Sequence, residues 1–339
     1  MKQLFFSLVA LMCATMSYAQ SSLIATLSHD GEISTFYGNS ALREAHAAAQ
    51  HGDIITLSSG SFTSVNINKA ITLRGAGMQV DTIAKTNPTV ITGNFIIDIP
   101  DSVKQRLTVE GLYCSEVIDV KYLKNASFLK DRLKCIKSFD NNKTMQNVTF
   151  IHCKISQFYN SAGSILNTKS ASFVNCYISH QDYYIINAEF TNCYIGTYRP
   201  YDFKHSTFNN CIIWSSTTNS PFPKLDKTCA AYYCLCKDRN GNVCFADIVN
   251  NSSNSYLSGD LNTLFKTYTG TYTDEETFEL TDEAKAKYLG SDGTEVGIHG
   301  GSLPFDPTPT NPQITKCNVA SKSTADGKLS VDIEVSAAE

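Results

Sequence analysis

Phe173-Val174-Asn175-Cys176-Tyr177-Ile178 returns as Phe190-Thr191-Asn192-Cys193-Tyr194-Ile195 and again as Phe208-Asn209-Asn210-Cys211-Ile212-Ile213. Phe150-Ile151-His152-Cys153-Lys154-Ile155 is a weaker copy. Earlier copies carry Gly at the third position: Leu73-Arg74-Gly75, Ile91-Thr92-Gly93 and Val109-Glu110-Gly111. Phe128 opens a poor one, with Lys130 and Asp131 in its middle. The first positions, 73, 91, 109, 128, 150, 173, 190 and 208, lie 17 to 23 residues apart, the mark of a repeat architecture.

The chemistry of the phrase identifies the repeat. Apolar residues alternate up to the first position, as at Val65, Ile67, Ile71 and Leu73, which is the period of a strand. The parity then breaks, and the next inward residues fall at the fourth and sixth positions. Gly or Asn stands between, and both tolerate the left-handed backbone of a sharp corner. Each rung is therefore strand, one-residue corner, strand, longer loop, strand. Rungs stacked about 4.8 Å apart make a right-handed parallel β-helix, an all-β solenoid. Asn175, Asn192 and Asn210 are expected to stack with each amide bonding the next. Cys153, Cys176, Cys193 and Cys211 stack just inside them. Two readings of these cysteines stand: a ladder of reduced thiols, which behave as small hydrophobes, and disulfides between neighbouring rungs.

The ends differ from the middle. Lys2, the apolar run from Leu4 to Ala14 and the small residues Ser17 and Ala19 read as a signal peptide, residues 1–19. The chain is then exported, to the periplasm, the outer membrane or the outside. No later stretch is apolar for long enough to span a membrane as a helix. Residues 20–303 make the solenoid, with a helix near 40–50 capping its open end: Asn39 and Ser40 precede an Ala-rich run that Gly52 stops. Residues 304–312, with four prolines, read as an extended linker. Residues 313–339 read as a short β-hairpin-like tail with a turn at 324–327.

The 339 residues hold 28 Lys and Arg against 32 Asp and Glu, a net charge of −4 that excludes a strongly basic nucleic-acid binder. With 42% hydrophobic and 18% charged residues, the chain is neither disordered nor a membrane protein.

Residues 41–77 resemble the opening of pectate-lyase-like right-handed β-helix proteins: an Ala-rich helix, then Gly52-Asp53, Ile55, Leu57, Gly60 and Phe62, then Ile71, Leu73 and Gly75. Leu280 to Gly301 is similar to the last coil of exported β-helix proteins of Bacteroides-type bacteria, as is the tail. The resemblance implies the fold and leaves activity open, because that superfamily holds lyases, hydrolases, esterases and adhesins.

A lyase of this kind needs a cationic base beside carboxylates that hold calcium, and a hydrolase needs paired carboxylates. The repeats show neither cluster. Arg74 and His299 read as structural. The candidate surface is aromatic: Tyr159 in one rung, His180, Asp182, Tyr183 and Tyr184 in the next, and Tyr198, Arg199, Tyr201 and Asp202 in the next. Their similar offsets from the ladder cysteines place tyrosines of three rungs along one edge. Such a row either stacks against sugar rings or covers strand edges. Cys229, Cys234, Cys236 and Cys244 leave three readings open: local disulfides, buried thiols and a poorly spaced metal site. The leading expectation is non-catalytic binding of a glycan or surface partner, adhesin-like and without cofactor or metal. The alternative is a polysaccharide lyase or glycoside hydrolase on acidic polysaccharide, with calcium entering only for the lyase.

Overall fold

The computed structural model describes residues 23–81, 86–138, 145–160, 166–179, 185–197, 203–215, 225–237, 244–245, 247–257, 261–268, 276–320, 322–324 and 326–336. The signal-peptide reading of residues 1–19 lies outside them. No helix among the described residues is long and apolar enough to cross a membrane.

The chain is a right-handed parallel β-helix. The phrase copies fall in one register column of the first sheet: Ile55, Leu73, Val109, Phe128, Phe150, Phe173, Phe190, Phe208, Ala231 and Asn251. Phe128, Phe150, Phe173, Phe190 and Phe208 stack face to face with centroids 4.8–4.9 Å apart, so one ring per rung fills the core at the rung spacing. Phe158 and Phe203 meet this stack edge-on. Offset and edge-to-face contacts of this kind add to the burial of each ring.

One copy is assigned differently. Ile91 pairs with Phe62 and Cys114 in the second sheet, and Leu73 pairs directly with Val109. Gly93 does bend the chain, at φ +86°, but inside the second sheet. The rung from Leu73 to Val109 is thus double length, and its excess is an excursion over residues 77–88.

The corners explain the fourth position. The thiols of Cys153, Cys176, Cys193, Cys211 and Cys234 donate to the carbonyls of Phe128, Phe150, Phe173, Phe190 and Phe208, each on the preceding rung, at 3.3–3.5 Å. The Cys153 and Cys211 N–H groups donate to the next sulfur, 3.4 Å away. Asp131 and Asn254 do the same work at the two ends of the column, accepting from the N–H of Leu112 and Cys234 at 2.8 and 2.9 Å. The side chain at this position satisfies corner groups that would otherwise be buried without a partner. All ten described cysteines are buried and none forms a disulfide, Cys229, Cys236 and Cys244 included. Burial pushes the thiols of Cys153, Cys193, Cys211 and Cys234 well up, which disfavours the reactive thiolate.

The third-position residues depart from expectation. Lys130, His152, Asn175, Asn192, Asn210 and Tyr233 all hold the left-handed corner, with φ between +47° and +56°. Their side chains do not form an amide ladder. They hold a strap, residues 289–311, that runs back along the outside of the corners. The Asn210 carboxamide accepts from Ser291 N–H at 2.9 Å. The Asn175 amide donates to the Ile298 and Gly300 carbonyls, both at 2.8 Å. Gly301 lies so close to Asn192 that an added Cβ would sit 2.1 Å from its Nδ2. His152 donates to Leu303 O, and Lys130 reaches Asp306 and Thr308. Thr310 bonds Glu110, and Asn311 bonds the Gly75 carbonyl. Arg74 completes this end by pairing with buried Glu110 at 3.3 Å.

Residues 304–312, read from the sequence as an extended linker, are held to the solenoid by Lys130, Glu110 and Gly75. Leu280 to Gly301 likewise adds no parallel strand. It contains the helix Asp282–Lys287 and lies on the outside of the second sheet. An amide pair does form at another corner, where Asn147 donates to Asn125 at 2.8 Å.

The N-terminal end is closed by the antiparallel strands Ile24–His29 and Glu32–Tyr37, the first of which pairs with Ile54–Leu57, and by the helix Ala41–Ala48. That helix buries Ala41, Leu42, Ala45 and His46. Ser40 takes the N-cap position without a side-chain cap bond, its hydroxyl accepting instead from Arg43. At the other terminus Gln313–Val319 and Val331–Ser336 pair antiparallel, which is the hairpin-like tail.

Candidate functional site

Of the aromatic edge, His180, Asp182, Tyr183, Tyr184, Tyr198, Arg199, Tyr201 and Asp202 lie outside the described residues. Only the backbone of Tyr159 is placed, in the strand Phe158–Asn160 beside Lys137.

The described residues hold a different site. Outward side chains of the second sheet form one register column: Val90, Tyr113, Arg132, Lys154, Tyr177, Tyr194, Ile212 and Leu235. From Tyr177 onward the column is apolar and covered. Tyr177 and Tyr194 stack on each other at 5.3 Å, Phe278 packs against both, at 4.5 and 4.4 Å between ring centroids, and Phe265, Tyr288, Val296 and Ile298 pack around it. Before Tyr177 the column floors a cleft of about 700 Å³. Met78, Gln79, Val80 and Pro88, from the excursion in the long rung, make one wall. Glu276, Thr277, Ile298, His299, Phe305 and Pro307 make the other.

Two cations sit side by side on that floor. Arg132 places its guanidinium 4.3 Å above the Tyr113 ring, a cation–π contact that fixes a flexible side chain. Lys154 is 9% exposed, donates to Gln79 Oε1 at 3.2 Å and lies 5.9 Å from the Phe305 ring. Glu276 is the single carboxylate among the described lining residues, and it is buried. Its Oε1 accepts from Thr267 Oγ1 at 2.6 Å and Phe278 N–H at 3.1 Å, so it braces the wall. His299 donates to Thr277 O at 2.7 Å and lines the cleft.

Chemically, the cleft offers adjacent positive charges in a partly apolar recess with an aromatic face. It suits an anion with a flat or apolar side. Among the described residues no three His, Cys, Asp or Glu side chains converge as a metal-binding group. The cleft was overlooked in the sequence because Ile91 was counted as a first-sheet copy, which conceals the wall-forming excursion. A usable signal was present at the fifth position of the phrase, where Lys154 gives way to Tyr177, Tyr194 and Ile212.

No protein-family model matches the chain, and neither a curated protein nor a solved structure matches it.

Proposed function

We propose that this is an exported, non-catalytic binding protein whose cleft holds an acidic glycan at the cell surface or in the periplasm. The observation that carries the reading is the pair Arg132 and Lys154 beside Tyr113 on the floor of the 700 Å³ cleft. That volume lies in the range of small-ligand sites, and charge-assisted bonds from a guanidinium and an ammonium suit a sugar carboxylate. The Phe305 ring in the wall offers an apolar surface to the C–H side of a sugar. The likeness of residues 41–77 to pectate-lyase-like proteins agrees with a carbohydrate ligand, and the N-terminal apolar run agrees with export.

The test is gel retardation of residues 20–339 in a panel of neutral and acidic polysaccharides, with and without calcium. Retardation by acidic polysaccharides alone is expected, with no shortening of the chains. Chain cleavage would establish the enzymatic alternative, and indifference to the whole panel would remove the glycan reading.

A further inference from the structure

We infer that the cleft receives the end of a glycan chain and excludes a chain's interior. This rests on the reading above that an acidic glycan occupies it. The floor column runs along the solenoid axis, the direction a bound polymer would follow. It is stopped one rung beyond Lys154. There Tyr177 and Tyr194 are 3% and 4% exposed, stacked on each other and covered by the Phe278 ring. Phe265 meets Phe278 edge-on at 5.5 Å, and the Phe278 N–H is held by Glu276.

The plug is fixed to the solenoid as well. Asn175, on the same rung as Tyr177, holds the carbonyls of Ile298 and Gly300 by two 2.8 Å bonds. A sideways exit beside Lys154 is crossed by its bond to Gln79. Among the described residues the opposite end is open: Ser61, one rung before Val90, is exposed, and Val80 is 55% exposed. A linear ligand can therefore enter from the Val90 end but cannot leave past Tyr177. The two cations sit at the closed end, so the terminal sugar's carboxylate meets Lys154 and Arg132.

The experiment is calorimetric titration with galacturonate oligomers from the monosaccharide to the octasaccharide, and with the parent polymer in sharp size fractions. An alginate series is run beside it. Affinity is expected to rise about tenfold over the first few sugars and to change by less than about twofold thereafter. Stoichiometry on the polymer should stay at one protein per chain whatever the chain length. Affinity that keeps rising with length, with many proteins per chain, would overturn end recognition while leaving glycan binding intact. Failure of every oligomer and polymer in both series to bind would overturn both readings. Titration with borohydride-reduced oligomers then separates the ends: lost binding assigns the reducing end, and unchanged binding the other. Phe278→Ala, checked for folding by its thermal melt, unplugs the closed end and should move the stoichiometry above one per chain.

Discussion

Tyr113, Arg132 and Lys154 occupy the same register column as Tyr177, Tyr194, Ile212 and Leu235, on the same face of the same sheet, yet one half floors a cleft and the other is interior. The backbone does not distinguish them. What differs is the cover. Phe265, Phe278, Tyr288, Val296 and Ile298 bury the apolar half, and the strap follows the corners, so among the described residues the charged half floors a cleft. A solenoid rung has no fixed outside: an outward position becomes core wherever a later segment lies on it. The site is the margin of that cover.

The sharpest way to break this comparison is to exchange chemistry between the halves. Tyr194→Lys puts an ammonium under Phe278 and Phe265 in place of a buried ring. A loss of about 4 kcal/mol in denaturant unfolding is expected, from lost ring burial and a desolvated charge.

Next is the stitch that ends the cover. Asn175→Ala removes a buried donor from the Gly300 carbonyl and one of two donors from the Ile298 carbonyl, which keeps the Phe305 N–H, and puts Ala at φ +47°. A cost of about 3 kcal/mol is expected, with faster hydrogen exchange in residues 296–303 than in the Phe stack.

Acid should separate the two halves in a similar range. His46 is on the buried face of the capping helix, and burial, with Lys69 adding to it, lowers its pKa to about 4. The unfolded chain binds this proton near 6.5 and the folded chain does not, so stability present above pH 6.5 is lost as pH falls towards about 4. About 3 kcal/mol is at stake, and His46→Leu should flatten that slope. Early rungs, on the cleft side, should lose exchange protection first. The neighbouring His29–Asp53 pair works within a different window. The bond from Asp53 raises His29. Burial alone would raise Asp53, but the bond to His29 and the Gln50 N–H hold it low. That pair's contribution stays intact between pH 3.8 and 6.5 and fades above, as His29 loses its proton.

The smallest expected effect on stability belongs to the open half. Lys154→Met should change unfolding by less than about 1 kcal/mol, because it trades a charge at the cleft floor for an apolar side chain of similar length. A large loss there would mean that the two halves are the same kind of core.

The fold was legible because each rung repeats three physical demands: an apolar ring inward, a residue that accepts a left-handed corner, and a small side chain that satisfies the corner's backbone. Ile91-Thr92-Gly93 met the first two in a different sheet, so spacing alone misplaced it. The strap was illegible for another reason. Asn175, Asn192 and Asn210 have the same sequence signature whether their amides bond one another or a distant segment, and the partners, Ser291 to Gly301, lie far along the chain. Asp131 looked like a flaw in a poor copy, yet it holds the fourth-position role with a carboxyl group, which burial pushes well up from the usual range. Arg132 and Lys154 were hidden because adjacency across rungs emerges only once the register is known.

The most direct test sets the cleft against the aromatic edge. Binding of the retained acidic polysaccharide is measured for Arg132→Gln/Lys154→Met and for Tyr183→Ala/Tyr198→Ala, each with its thermal melt. If the cleft is the site, the first variant loses at least about tenfold in affinity with its melt unchanged, and the second binds as the parent does. The reverse pattern, with binding kept by the cleft variant and lost by the tyrosine variant, would contradict the account.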